Sequence, residues 1–363
     1  MTTNAAPARR HQDNIGMRLG WAPTLIIPLL LILLVAVAIV AVTIGAAGIS
    51  LPRLLAALGL AEGDTALVQR DWLVLSSIRF PRIALAASVG ALLATAGTVM
   101  QGLFRNPLAD PALVGVSGGA ALAAATLIVV GDKALAGAPI KLPIELLPLA
   151  AFLGALATTV ALHRLATREG RTSIATFLLG GLAVAALANA AIGLLVFLAD
   201  DRQLRDITFW MLGSLSGATW PKCGAIFPFL VAILVAAPFV SRGLDLLVIG
   251  EAEAFFAGIE VERLKRICII LVAAATGAAV SVAGVIGFIG IVVPHLLRLA
   301  IGPRHGLLLF AAALLGAALL LVADTFARTL AAPAELPVGI ITAVIGAPFF
   351  LALLLRYRAL AGL

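Results

Sequence analysis

Little in this chain is equipped for covalent chemistry. The closest approach is Gly115-x-Ser117-Gly118 taken with His295, the residue types of a serine nucleophile and its general base. A Gly-Ser-Gly pattern is unremarkable among 35 glycines, and the context of His295, VVPHLLRLA, lacks the small residues that would let its helix approach another closely. His295 follows Pro294 and reads as a structural histidine beside a proline kink. Asp324 and Arg328 stand four apart, the spacing at which opposite charges on one helix face pair with each other. Cys223 and Cys268 are far apart, with no Cys-x-x-Cys or Cys/His grouping, so neither a metal centre nor a disulfide framework is expected. None of the four lysines (Lys133, Lys141, Lys222, Lys265) is followed by Ser or Thr, and no Gly-x-x-x-x-Gly-Lys-Ser/Thr occurs. The expected catalytic set is therefore empty, and any ATP, with its Mg, is handled by a separate partner.

The elements carrying these residues are membrane helices. Of 363 residues, 62% are hydrophobic and 12% charged, with mean hydropathy +1.15, far above the apolar share of soluble domains. The apolar runs are continuous and reach the roughly 20 residues that a crossing helix needs, and only helices or closed barrels satisfy the backbone in hydrocarbon. The net charge of +7 comes from bases scattered singly over many loops, which suits loops facing cytoplasm and anionic lipid and argues against nucleic acid.

The pattern predicts an all-α polytopic protein with ten crossings, near 24–44, 83–103, 112–131, 146–166, 174–199, 223–240, 266–284, 288–300, 307–328 and 338–356. Residues 1–22 form a cytoplasmic tail, and 23–358 one transmembrane domain. The segment 46–78 is too polar to cross and is expected as short interfacial helices outside. The eighth crossing is short and contains Pro294, so it is expected tilted or broken. Ten crossings place both termini on one side, and most Lys and Arg fall inside if that side is the cytoplasm.

Helices in lipid associate through close backbone approach more than through hydrophobicity. Gly90, Ala94 and Gly97 share a face, Gly115 and Gly119 form a small-xxx-small pair, and Gly284, Gly287 and Gly290 recur every third residue. Buried carboxylates, which an ion-coupled carrier needs, are scarce. That makes a secondary transporter the weaker alternative. The charged segment 241–266, with Asp245, Glu251, Glu253, Glu260 and Glu262 and glycines at 250 and 258, has the composition of an inward docking surface, with the glycines separating two short helices.

These residues resemble the FecCD family, the permease subunits of bacterial ATP-binding-cassette importers for iron-siderophores, haem and cobalamin. The likeness rests on Arg79-x-Pro-Arg82, Gln101-Gly102 with Arg105 through Pro111, and Leu113-x-Gly115-Val116-Ser117-x-Gly119. It continues through Trp210-x-x-Gly213-Ser214-Leu215, Gly250-Glu251, Gly287-Phe288-Ile289-Gly290, Ala323-Asp324 with Arg328, and Glu335-Leu336-Pro337-Val338-Gly339. The resemblance implies a homodimer in the bacterial inner membrane, with two ATP-binding subunits below and a periplasmic binding protein for haem or an iron chelate above. It further implies binding-protein docking at Arg79, Arg82 and Arg328, and ATPase coupling at Leu247, Gly250, Glu251, Ala254, Gly258 and Glu260. Arg171, Thr172, Ser173 and Thr176 match the family's cytoplasmic gate loosely, because its Ser/Thr run is reduced here. Gln203-Leu204-Arg205 and Asp206 through Leu215 read most like the haem importers, ahead of ferric siderophore and cobalamin permeases. No cofactor is expected to be bound by the chain itself.

Overall fold

A computed structural model describes residues 23–45, 48–111, 115–131 and 146–361. The N-terminal tail and the start of the third predicted crossing lie outside these residues. Within these residues the chain folds as a helical bundle with one hairpin of two-residue strands. In order, the elements are α1 (Pro23–Thr43), α2 (Leu51–Ala57), α3 (Thr65–Val74), α4 (Phe80–Leu103), α5 (Val116–Thr126) and α6 (Leu146–Ala166). Strands β1 (Thr167–Arg168) and β2 (Arg171–Thr172) follow, then α7 (Ile174–Leu198), α8 (Asp201–Leu212), α9 (Trp220–Ile249) and α10 (Glu251–Phe256). The chain ends with α11 (Val261–Ala283), α12 (Ile289–Ile301), α13 (His305–Ala327) and α14 (Val338–Ala361).

Among the described residues, seven helices are long and apolar enough to cross a membrane, and Val116–Gly131, Ile289–Ile301 and Val338–Leu353 are shorter apolar helices. Together they occupy the ten predicted crossings. α4 is the hub: every residue from Val89 to Phe104 is buried, with α13, α9, α11 and α12 packed around it. The surrounding helices turn apolar side chains outward, as at Phe197, Leu187 and Phe239.

The glycines act as packing contacts. A Cβ on Gly90 would lie 2.3 Å from the Gly316 carbonyl oxygen, and one on Gly97 would lie 2.1 Å from that of Gly290. Backbones at that separation exclude any side chain, so α4 meets α13 and α12 at van der Waals contact. Gly119 is similarly pressed against Gly154 and Thr158, joining α5 to α6.

Four features differ from expectation. The helix α3 does not stop short of the membrane but continues through a π-helical turn, Leu75–Arg79, directly into α4. α9 is 30 residues long and ends only at Gly250, so 241–249, expected in the docking segment, prolongs a crossing helix. A single short helix, α10, then lies between Gly250 and Gly258, and α11 already begins at Val261. Finally, the region after the fifth crossing contains an unpredicted amphipathic helix, α8, started by a reciprocal capping box in which the Asp200 side chain accepts from Gln203 N and the Gln203 side chain from Asp200 N.

The eighth crossing is short, as expected. α12 has 13 residues, or about 20 Å at 1.5 Å per residue, which is less than the hydrocarbon thickness. It begins inside the bundle, where Gly290 touches Gly97, and residues 284–288 before it are not helical. Such irregular backbone survives at depth only when protein buries it. Here Ser214 N donates to Ala283 O, and Gly284 lies directly against the Trp210 carbonyl.

Candidate functional site

Two charged clusters occupy opposite ends of the bundle. The first forms where α4 begins and α13 ends. Arg82 follows Pro81 in the first turn of α4, and its guanidinium donates to Asp324 at 2.8–3.1 Å and to Glu335 at 2.9 and 3.0 Å. Arg79, one turn earlier, is only 5% exposed and donates to the Val42 carbonyl. Arg328 donates to the Ala41 carbonyl at the end of α1 and stays 3.8 Å from Asp324. The spacing of Asp324 and Arg328 suggested that they pair with each other, yet Asp324 is chiefly held by Arg82, 242 residues away. A helix places i and i+4 on one face, but the two-pronged guanidinium of Arg82 arrives from a facing helix with better geometry.

This arrangement brings the three predicted docking arginines together around a cleft of about 270 Å³. Their side chains are folded inward onto carbonyls and carboxylates and do not project freely. Arg53 and Asp71 form a further two-pronged pair at 2.6 and 2.8 Å on the same side. Glu335 and Asp71 were not among the predicted site residues.

The second cluster forms at the other end of α4, around Lys265. This lysine lies in the second turn of α11, 3% exposed, and donates to Glu251 at 2.8 Å, to Glu262 at 3.0 Å and to the Thr172 carbonyl at 3.3 Å. Glu262 also accepts from Thr172 N at 2.9 Å. Thr172 closes the hairpin, whose turn residues Glu169 and Gly170 both have positive φ, 53° and 77°, as a two-residue hairpin turn requires. Ser173 then caps α7 by accepting from Thr176 N. The predicted gate residues Arg171, Thr172, Ser173 and Thr176 are thus a hairpin end and a helix start. Phe104, just past α4, stacks at 6.2 Å on Phe177 of α7 directly beneath them.

The predicted coupling residues divide into two groups. Leu247 and Ala254 are fully buried, so they seat the segment in the bundle and are withheld from any partner. Gly250 ends α9, and Gly258, at φ 85°, ends α10. Glu251 faces Lys265, while Glu260 reaches only Arg263, at 3.7 Å. What α10 presents outward is Phe255 and Phe256, 68% and 86% exposed, among carboxylates and arginines. Nearby, Asp245 of α9 accepts from both His305 N and Nδ1, at 2.9 and 2.7 Å, capping α13 from a neighbouring helix.

His295 is buried with its ring edge-on to Phe349 at 5.6 Å, as a structural histidine should be. Lys265 and Glu262, like Glu335 and Asp71, carry no predicted site role, although Glu262 lies in the expected docking segment and Glu335 in the family motif. The i, i+3 spacing of Glu262 and Lys265 was available as a signal, but the tie to Thr172 spans 93 residues.

The sequence matches the FecCD transport family over residues 30–356. The chain belongs to the FecCD transport family. It is similar to the hemin transport system permease protein of Yersinia pestis, 47% identical over 292 residues, which cover 79% of this chain and 84% of the relative. The cobalamin import system permease protein of Halobacterium salinarum is 44% identical, covering 77% and 73%, and the vitamin B12 import system permease protein of Vibrio cholerae is 41% identical, covering 77% and 82%. A solved inward-facing metal-chelate type ABC transporter superposes with a TM-score of 0.79 at 30% identity, over 91% of this chain and 99% of that one. This FecCD chain is therefore an integral membrane permease subunit of an ATP-binding-cassette importer.

Proposed function

We propose that the chain conducts haem across the bacterial inner membrane, as a homodimer with the path along its axis. Both termini and the hairpin end face the cytoplasm, where α10 rests on a separate ATPase that binds and hydrolyses MgATP. The arginine end faces the periplasm and receives a haem-loaded binding protein, with Arg79, Arg82 and Arg328 supplying a positive rim for acidic lobes. Such rim charges steer and orient more than they add affinity. The cytoplasmic gate is the hairpin end, at Arg171, Thr172, Ser173 and Thr176.

The observation that carries the haem reading is the 47% identity to the hemin permease, which extends over most of both chains. Import of cobalamin or a ferric siderophore by the same machine is the second reading, favoured by the 44% identity to a cobalamin permease. An ion-coupled carrier fits poorly: the buried carboxylates Asp71 and Asp324 are each occupied by an arginine, and Asp110 also has a partner.

In operation, ATP-driven closure of the ATPases displaces α10, the helices along the dimer axis tilt, and haem released from the binding protein passes through a cavity that opens inward. No covalent step falls to this chain. The test is uptake into proteoliposomes holding the permease with its partner ATPase and binding protein, with haem, a ferric siderophore and cobalamin supplied in parallel. ATP-dependent accumulation of haem alone is expected. Accumulation of another solute overturns the cargo, and uptake that follows an ion gradient and ignores ATP overturns the importer reading.

A further inference from the structure

We infer that Lys265 is the positioning residue that ties the ATPase-contacting helix to the cytoplasmic gate, so that α10 and the hairpin move as one body. This rests on the importer reading given above.

Three elements converge on one ammonium group. Glu251 opens α10, Thr172 closes the hairpin between α6 and α7, and Glu262 lies in the first turn of α11. Lys265 donates to all three, and an ammonium has three donors, so its hydrogen-bonding capacity is fully used. Glu262 closes the loop by accepting from Thr172 N. A lysine that is 3% exposed has lost most of its hydration, and it is held there by acceptors that replace water.

Among the described residues, Lys265 is the side chain that bonds both to α10 and to the hairpin. α10 is only six residues long, follows α9 directly through Gly250, and has Ala254 as its one buried side chain, a small apolar contact with which to transmit a lateral push. The hairpin has only two residues in each strand. Neither piece is rigid alone, but a buried ammonium shared by two partly exposed carboxylates and a backbone carbonyl makes displacement of one costly unless the other follows. In the other direction, Thr172 leads through Ser173 into α7, whose Phe177 is stacked on Phe104 at the end of the central helix. A push on α10 therefore reaches the hairpin and α7 through Lys265, beside the path to α4 that α9 provides.

The experiment compares Lys265→Met, Lys265→Arg and Glu262→Gln with wild type in the reconstituted complex, reading ATP hydrolysis, uptake and ATPase co-purification together. In Lys265→Met, co-purification and hydrolysis are expected within about twofold of wild type, while uptake falls about tenfold, the scale on which single residues alter coupling between sites. Glu262→Gln, which removes one of the two carboxylate partners of Lys265 and weakens the acceptor for Thr172 N while leaving Glu251 in place, is expected to shift the same ratio in the same direction. Lys265→Arg, which retains charge and donors, is expected to restore much of the uptake. Undiminished uptake by Lys265→Met overturns the inference. So does a parallel loss of hydrolysis and uptake that Lys265→Arg fails to rescue, because that is the mark of a merely structural lysine. Wild-type complex run alongside separates this from the importer reading, which alone fails if wild type shows no ATP-driven uptake.

Discussion

The two ends of the bundle use the same chemistry, a cation clamped by two carboxylates, for opposite mechanical purposes. At the arginine end, Arg82 grips Asp324 and Glu335 where long helices meet, and two more arginines are fixed to the last carbonyls of α1. At the hairpin end, Lys265 joins a six-residue helix and a two-residue strand. Asp324 is 3% exposed, whereas Glu251 and Glu262 are 42% and 31% exposed. The first cluster is a buried clamp between elements already fixed by packing. The second is a half-hydrated joint between elements that packing leaves loose. What a charged cluster does in a membrane protein thus depends less on its residue types than on the stiffness of what it connects.

The largest expected effect breaks the clamp. Arg82→Met leaves Asp324 buried without its main partner, and losing one member of such a pair costs about 3 kcal/mol. Thermal unfolding in detergent reads this directly. Adding Asp324→Asn removes the stranded charge, and the double variant is expected to be more stable than Arg82→Met alone. By contrast, Lys265→Met leaves carboxylates that water already reaches, so its cost is expected to stay below about 1 kcal/mol. Equal losses at the two ends would erase the distinction between clamp and joint.

The next effect concerns what the joint is joined to. Phe255 and Phe256 lie edge-on to each other at 6.0 Å and are the apolar part of α10 that faces outward. Exposed aromatics of this kind anchor interfaces, and truncating one costs about 2 kcal/mol, roughly thirtyfold in Kd. Phe256→Ala is expected to weaken ATPase binding by that amount in a detergent binding assay. Phe239→Ala, at an equally exposed ring (82%) within the crossing helix α9, is expected to leave it unchanged.

The same contrast governs how much could be read from sequence. Crossings are written in runs of apolar residues, and the close contacts of α4 were legible in Gly90 and Gly97, because only glycine permits that approach. The family resemblance, and no local signal, named Arg79, Arg82 and Arg328 as one group. The pairing of Arg82 with Asp324, and of Lys265 with Thr172, was not legible, since each joins residues far apart in the chain that only the packed bundle brings together. The long α9 was misread because Ser241, Arg242 and Asp245 look like the end of a crossing. In the fold Ser241 bonds back to the Pro238 carbonyl and Asp245 is taken up by His305, so the helix carries its polar residues onward to Gly250.

The smallest effect sharpens the comparison from the arginine end. Glu335 is 41% exposed and shares Arg82 with Asp324, so Glu335→Gln leaves the clamp's buried half intact and is expected to change stability by less than about 0.5 kcal/mol. It does change charge. Arg82 and Arg328 then keep Asp324 as their carboxylate, and the cleft presents a more positive field to an approaching partner. If an acidic binding protein docks here, Glu335→Gln is expected to raise its association rate about twofold at low salt, with the gain fading as ionic strength shortens the Debye length. Stopped-flow association at two salt concentrations checks both parts. A gain independent of salt would mean that the charge acts through the shape of the rim, and a slower association would mean that the partner brings its own basic residues to Glu335.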